Sequence, residues 1–223
     1  MVFNATKTEI FPAGQFGKDQ PTMEALRLGT LEMAVAHDGA IGTVQSSRHP
    51  DFKVGDPVSS MLGWRDAFVA RGEQLTRLPA TALPSQLFLG ALGMPGMTAW
   101  AGLHKVARLQ AGETLLVSAA SGAVGTMAVQ LAKRAGARVI GSTGSADKVA
   151  YLKTLGADAV INYRETPDLD AELARLAPEG IQVYFENVGG AMLDAALNNM
   201  VLHGRIVLCG LIEQYNSHGQ GNG

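Results

Sequence analysis

Residues 114–136 read TLLVSAASGAVGTMAVQLAKRAG, and the fold turns on them. TLLVSAA (114–120) is a short apolar, partly β-branched run of the kind that forms a buried strand. It turns through Ser121-Gly122 into a segment where Val124, Met127, Ala128, Leu131 and Ala135 recur at helical spacing, with Gly136 as the stop. The alternation then repeats. ARVIGSTG (137–144) reads as a second strand, followed by a helix that Ser145 caps and Gly156 ends. DAVINYR (158–164) is a third strand and DLDAELARLA (168–177) a helix. IQVYFENVG (181–189) is a fourth strand, GAMLDAALNNMV (190–201) a helix, and GRIVLCGL (204–211) a fifth strand.

Strands alternating with helices of this length are βαβ units. They predict a doubly wound, parallel α/β sheet with helices on both faces. Residues before 113 are less regular. AIGTVQSSRHPDFKVGDPV (40–58) reads as strand, turn and strand, with Gly55-Asp56 in the turn. SSMLGWRDAFVAR (59–71) adds a strand or two around Trp64, and residues 83–109 read as helical on both sides of Pro95-Gly96. Earlier still, residues 8–20 read as a strand and polar loop, and residues 20–36 as an amphipathic helix. The expected organisation is an atypical segment 1–41, a partial β-rich domain with connecting helices 42–112, a domain of βαβ units 113–216 and a flexible tail 217–223.

Composition removes several function classes. Eighteen basic against 20 acidic side chains leave a formal charge of −2, too little to draw in nucleic acid or anionic lipid. No apolar run approaches the roughly 18–20 residues of a membrane span. A lone cysteine, Cys209, and five scattered histidines give no metal-ligand spacing, so no metal is expected. The first residues lack a signal pattern, which makes the cytoplasm the expected compartment. VSAASGAVG is not a hydrolase nucleophile elbow, because Ser121 sits in A-A-S-G-A rather than G-x-S-x-G.

Ala120-Ser121-Gly122-Ala123-Val124-Gly125 is the GxGxxG fingerprint with alanine in its first position. Gly122 would admit backbone close to a pyrophosphate, and Gly125 would let the helix pack close to the strand. Free N–H groups at the helix start would then face phosphate. A tight turn without a ligand is the plain alternative. The second strand ends in Gly144 and Ser145, where an NAD site would carry an acid, and Lys148 follows one turn into the helix. Asp147 lies past the strand end. This favours NADPH, although Lys148 alone could be a solvated helix lysine.

Nine motifs in order carry a family resemblance. They are RHPDFKVGD (48–56), MLGW (61–64), LGMPGMTAW (92–100), AASGAVG (119–125), GSADKVAYLKTLGAD (144–158), NYR (162–164), YFENVGG (184–190), GRIVLCGLI (204–212) and QYN (214–216). From about residue 41 to 216 the chain resembles the zinc-independent medium-chain dehydrogenases/reductases, within them the prostaglandin reductase, plant alkenal reductase and curcumin-reductase-like group. The resemblance implies that Gly122, Ala123, Val124 and Gly125 line the pyrophosphate of NADPH, and that Lys148 and Tyr163 hold its 2′-phosphate. It places Asn187 beside the cofactor, Cys209, Gly210, Leu211, Ile212 and Tyr215 along the nicotinamide ribose, and Met94 and Thr98 beside the ring. Tyr215 is the implied catalytic residue, contacting an enolate or relaying a proton. Cys209 reads equally as a packing residue, Tyr163 as a half-buried strand tyrosine, and Tyr215 as a terminal one.

The implied activity is hydride transfer from NADPH to the β-carbon of an α,β-unsaturated aldehyde or ketone, with a homo-oligomer as the expected assembly. The alternative is a truncated, chimeric module that binds NADPH with little turnover. Two departures from the family bear on this. The chain stops before the family's sixth cofactor-domain strand, which would leave the fifth strand with an open edge. Residues 9–42 (EIFPAGQFGKDQ to GAIG) resemble instead a piece of a TRAP-type solute-binding protein of the DctP family. That implies a fused or rearranged reading frame joined near Asp38–Thr43.

Overall fold

A computed structural model of the protein describes residues 2–4, 39–63 and 66–213. The expected elements within residues 5–38, those at Trp64 and the glycine-rich tail lie outside the described residues. The chain divides into two units, residues 1–95 and 96–223.

In the first unit, β1 (Val2–Asn4), β2 (Ala40–Ser46), β3 (Pro57–Ser60) and β4 (Leu75–Arg77) pair antiparallel in that order. Gly55, at φ +92°, takes the turn between β2 and β3. Val44, Val58 and Leu75 bury a small core beneath them.

The second unit holds the βαβ array. Helix α1 (Met94–Trp100) runs into a π-helical stretch, Ala101–Val106. Pro95 belongs to the first turn of α1, where its missing N–H is not needed, and a 3-10 helix, Ser85–Leu89, precedes it, so the chain is helical on both sides as expected. Then come β5 (Thr114–Val117), α2 (Ala123–Arg134), β6 (Arg138–Thr143), α3 (Ala146–Thr154) and β7 (Ala159–Asn162). The chain continues through α4 (Leu169–Leu176), β8 (Ile181–Glu186), α5 (Gly190–Asn199) and β9 (Met200–Leu208). Among the described residues these strands form one parallel sheet in the order β7-β6-β5-β8-β9.

Side chains alternate across this sheet as the pleat requires. Leu115, Val117, Val139, Val183 and Phe185 point to one face, where Leu103, Ala128, Val129, Ala132 and Leu152 cover them. Leu116, Ile140, Ile161 and Tyr184 point to the other, under Leu173, Met192, Ala195 and Ala196. Approach on the first face is close. A Cβ at Gly102 in the π-helical stretch would fall 2.6 Å from the Phe185 ring and 2.8 Å from Val207.

Two local expectations need correction. The last helix ends at Asn199, and β9 begins at Met200, four residues before the predicted start. Pairing runs Ile181↔Met200 and then Val183↔Arg205, so β9 bulges between them, with His203 at φ +65°. The bulge hid the first segment from a simple alternation. Ser145 stands at the N-cap of α3, yet its side chain makes no capping bond. Strand β9 is a sheet edge among the described residues and exposes Leu202 and Leu208. No helix of the described residues is long and apolar enough to cross a membrane.

Candidate dinucleotide site

The chain builds the sheet outward from β5 through β6 to β7, then returns to lay β8 and β9 on the other side of β5. Strand order therefore reverses between β5 and β8, and the crevice beyond their carboxyl ends is where open α/β sheets take ligands. Most of the residues singled out from the sequence fall along this edge.

After β5, Ala119 adopts φ +44°, and its carbonyl accepts the Gly122 N–H at 2.9 Å. This tight turn delivers Gly122 to the N-cap of α2. A Cβ at Gly125 would lie 2.7 Å from Cα and 2.8 Å from C of Ala120, so the helix can pack this close to the strand only through glycine. Thr126 is the first residue of the helix whose N–H meets a carbonyl, that of Gly122. The amides of Ala123, Val124 and Gly125 meet no acceptor among the described residues. Three free donors at the start of a 12-residue helix suit a phosphate. Ser121 Oγ and Thr143 Oγ1, 2.8 Å apart and buried, tie this turn to the end of β6.

At the end of β6 no carboxylate occupies Gly144 or Ser145. Asp147 is exposed in the first turn of α3, and Lys148 is half-buried beside it. Tyr163 follows β7, anchored by its N–H on the Thr143 carbonyl at 3.0 Å. Its ring fills the space above Gly144, and the Arg164 guanidinium lies 5.9 Å from the ring centroid. The donor set offered here is cationic and phenolic, which suits a phosphate better than a ribose hydroxyl pair. Gly144 entered the sequence reading only as the place where an acid is missing; the structure adds that it makes room for the Tyr163 ring, with Arg164 beside it. The absence of a side chain opposite an exposed aromatic was the available signal.

At the end of β8, Asn187 donates its side-chain N–H to the Ser118 carbonyl and its backbone N–H to Ser118 Oγ, each at 2.7 Å. Ser118 Oγ in turn donates to the fully buried Glu186 carboxylate at 2.7 Å. Residues 209–213 run alongside. Cys209 and Gly210 donate to the Glu186 carbonyl, Ile212 to that of Asn187 and Glu213 to that of Val188. The structure thus brings Cys209, Gly210 and Ile212 beside Asn187, with Leu211 between them. Burial pushes the Cys209 thiol up, which keeps it protonated and fits the packing reading. Burial, together with the Glu186 carboxylate, also raises the Tyr184 phenol. Ser118, Glu186 and Tyr184 are the members that sequence reasoning missed. A carboxylate closing an otherwise apolar strand was their signal.

Thr98 lies half-buried and Met94 exposed on α1. Tyr215, the implied catalytic residue, lies outside the described residues.

Three comparisons bear on this site. The family model for the N-terminal domain of oxidoreductase matches residues 19–78, and that for zinc-binding dehydrogenase matches residues 123–220. A 2-alkenal reductase (NADP(+)-dependent) of Nicotiana tabacum is 49% identical over 178 residues, covering 79% of this chain and 52% of its own length. The chain belongs to the medium-chain dehydrogenase/reductase superfamily. Prostaglandin reductase 1 of Mus musculus is 43% identical over 182 residues, 80% of this chain and 55% of that protein. The solved structure of CurA in complex with NADPH from Vibrio vulnificus superimposes with a TM-score of 0.76 at 40% identity, covering 83% of this chain and 55% of that one.

The chain spans about half the length of the curated medium-chain relatives it matches. The oxidoreductase N-terminal match begins at residue 19, inside the segment 9–42 that resembled a solute-binding protein, and none of these comparisons supports that resemblance. The described residues do not fit the zinc that one family name carries, since no three His, Cys, Asp or Glu side chains among them could hold a metal ion together.

Proposed function

We propose that this chain carries the NADPH-binding part of a reductase acting on the C=C bond of α,β-unsaturated aldehydes and ketones. The observation that carries the proposal is the edge where strand order reverses. It combines three free amides at the start of α2, an acid-free β6 end beside Lys148 and Tyr163, and Asn187 held at the end of β8. By name the Nicotiana relative is an NADP(+)-dependent reductase of 2-alkenals and the Mus relative a prostaglandin reductase, and the Vibrio structure was solved with NADPH.

In this reading NADPH, when bound, supplies the hydride delivered to the substrate β-carbon. The amides of Ala123, Val124 and Gly125 hold the pyrophosphate. Lys148 and Tyr163 hold the 2′-phosphate and so select NADPH over NADH. Asn187 and residues 209–212 border the ribose on the nicotinamide side, with Thr98 and Met94 on α1 beside the ring. Tyr215 stabilises the developing enolate oxygen or passes a proton to the α-carbon. The proposed partner is a small enone or enal, and the proposed assembly a homo-oligomer.

The test is a titration of the purified chain with NADPH and NADH, followed by an enal in the presence of the tighter cofactor. Tight NADPH binding with weak NADH binding, and then consumption of reduced cofactor, supports the whole reading. Binding without turnover would reduce it to a cofactor-binding module. Loss of preference between the cofactors would remove Lys148 and Tyr163 from the site.

A further inference from the structure

We propose that Glu186 is a positioning residue whose buried hydrogen-bond network presets the side-chain oxygen of Asn187 as an acceptor for a donor group of the bound dinucleotide. This rests on the cofactor reading given above and extends it to residues that touch no cofactor.

Glu186 is 0% exposed, and a carboxylate so placed is costly unless donors reach both of its oxygens. Three do. Ser118 Oγ and the Val188 N–H reach Oε1 at 2.7 and 2.5 Å, and the Tyr184 hydroxyl reaches Oε2 at 2.7 Å. The Val188 contact sets the carboxylate two residues before the first turn of α5, a favourable place for negative charge. Because Ser118 spends its hydrogen on Glu186, its oxygen is turned to accept, and it takes the Asn187 backbone N–H at 2.7 Å. The Ser118 carbonyl then takes the Asn187 side-chain N–H, also at 2.7 Å.

The consequence lies in what remains. With one N–H of its amide committed to Ser118, the Asn187 side chain has a fixed direction, and its Oδ1 meets no donor among the described residues. An amide oxygen accepts and cannot donate. A group that meets this oxygen must therefore bring an O–H or N–H, as a ribose hydroxyl or a nicotinamide carboxamide does. The network stands at the β5–β8 reversal point, at the carboxyl edge of the strands that ligands use. Holding β5 to β8 does not require it, since Leu115, Leu116 and Val117 already pair with Val183, Tyr184 and Phe185.

Tyr184 offers a clean handle, because it bonds the carboxylate oxygen that neither Ser118 nor Val188 uses. The experiment is a double-mutant cycle on NADPH affinity in the full chain, with Tyr184→Phe and Asn187→Ala singly and together. Tyr184→Phe is expected to weaken NADPH about three- to tenfold alone and less than about twofold in the Asn187→Ala background. Equal losses in both backgrounds, or no loss in Tyr184→Phe, overturn the proposal, since a merely structural tyrosine would act independently of Asn187. If Tyr184→Phe does not fold, Glu186→Gln is carried through the same cycle with the same criterion. Repeating the cycle with 2′-phospho-ADP-ribose, which keeps the ribose and lacks the ring, assigns the donor. A retained coupling means a ribose hydroxyl and a lost one the carboxamide, and either supports the proposal. A wild-type chain that binds no dinucleotide sinks the cofactor reading and this inference together. Binding with an additive cycle sinks only this inference.

Discussion

The ring of Tyr163 occupies the space that a side chain on Gly144 would need. A Cβ at Gly144 would fall 2.6 Å from the tyrosine hydroxyl and 2.8 Å from Cζ. Two adjacent strand ends are thereby fitted to each other, since Gly144 follows β6 and Tyr163 follows β7. The backbone of Gly144 is outside the left-handed region, so alanine there is conformationally allowed and acts only by displacing the ring. Gly144→Ala is expected to leave the fold intact and weaken NADPH several-fold while leaving NADH unchanged. Side-by-side titrations check this, and equal losses for both cofactors would remove Tyr163 from the 2′-phosphate site.

Lys148 carries the cofactor preference in the same proposal. Losing a charge-assisted bond to phosphate costs about 1.5–3 kcal/mol, or roughly ten- to a hundredfold in affinity. Lys148→Ala should therefore raise the NADPH dissociation constant by that factor and barely move that of NADH. A parallel fall in both affinities would mean that the lysine acts elsewhere.

Gly125 is fixed by packing. Its missing Cβ would stand within 3 Å of the Ala120 backbone, which cannot rotate away as a side chain can. Overpacking of this kind costs about 1–3 kcal/mol. Gly125→Ala is expected at the upper end of that range, with a lowered melting temperature and loss of dinucleotide binding as α2 moves off β5. An unchanged melting temperature would show that the helix can be rehung at no cost.

Asp158 predicts an acid dependence. Burial raises its carboxyl, but the Lys133 ammonium at 2.8 Å, the Val139 N–H at 2.6 Å and the charges of Lys133 and Arg138 outweigh this and hold it below its ordinary value. A carboxyl depressed in the folded state contributes stability above its unfolded pKa and loses it as pH falls through the folded one. The group is solvent-exposed, so Asp158→Ala should cost about 1 kcal/mol at pH 7. Denaturation series should show that difference shrinking below about pH 4. A penalty that stays constant to lower pH would mean that packing rather than charge is lost.

Much of the second unit is legible in the chain itself. The alternation of TLLV, RVIGST, AVIN and IQVYFE with amphipathic segments dictates βαβ units, because each strand must be covered on both faces. Gly136, Gly156 and Gly180 all take φ between +81° and +94°, turns that glycine adopts most readily. Gly122 and Gly125 are likewise readable, since their spacing reflects a local strand-to-helix turn. The resemblance also pointed to Lys148, Tyr163 and Asn187.

What the sequence determined was thus local: which segments are strands or helices, where they turn, and which loops follow the strands. The tertiary structure decided which strand ends became neighbours. Ser118 and Glu186 are 68 residues apart and Ser121 and Thr143 are 22 apart, and no periodicity links either pair. The first pair meets because β8 returns to the far side of β5 and pairs with it in register, and the second because β6 pairs with β5 on its other side. That return adds Ser118 to the local donors Tyr184 and Val188 of the buried Glu186 carboxylate, and only then does Asn187 acquire a fixed direction. The physical reason is that hydrogen bonds between side chains depend on distance in space, whereas patterning along a chain records only which face of an element is buried.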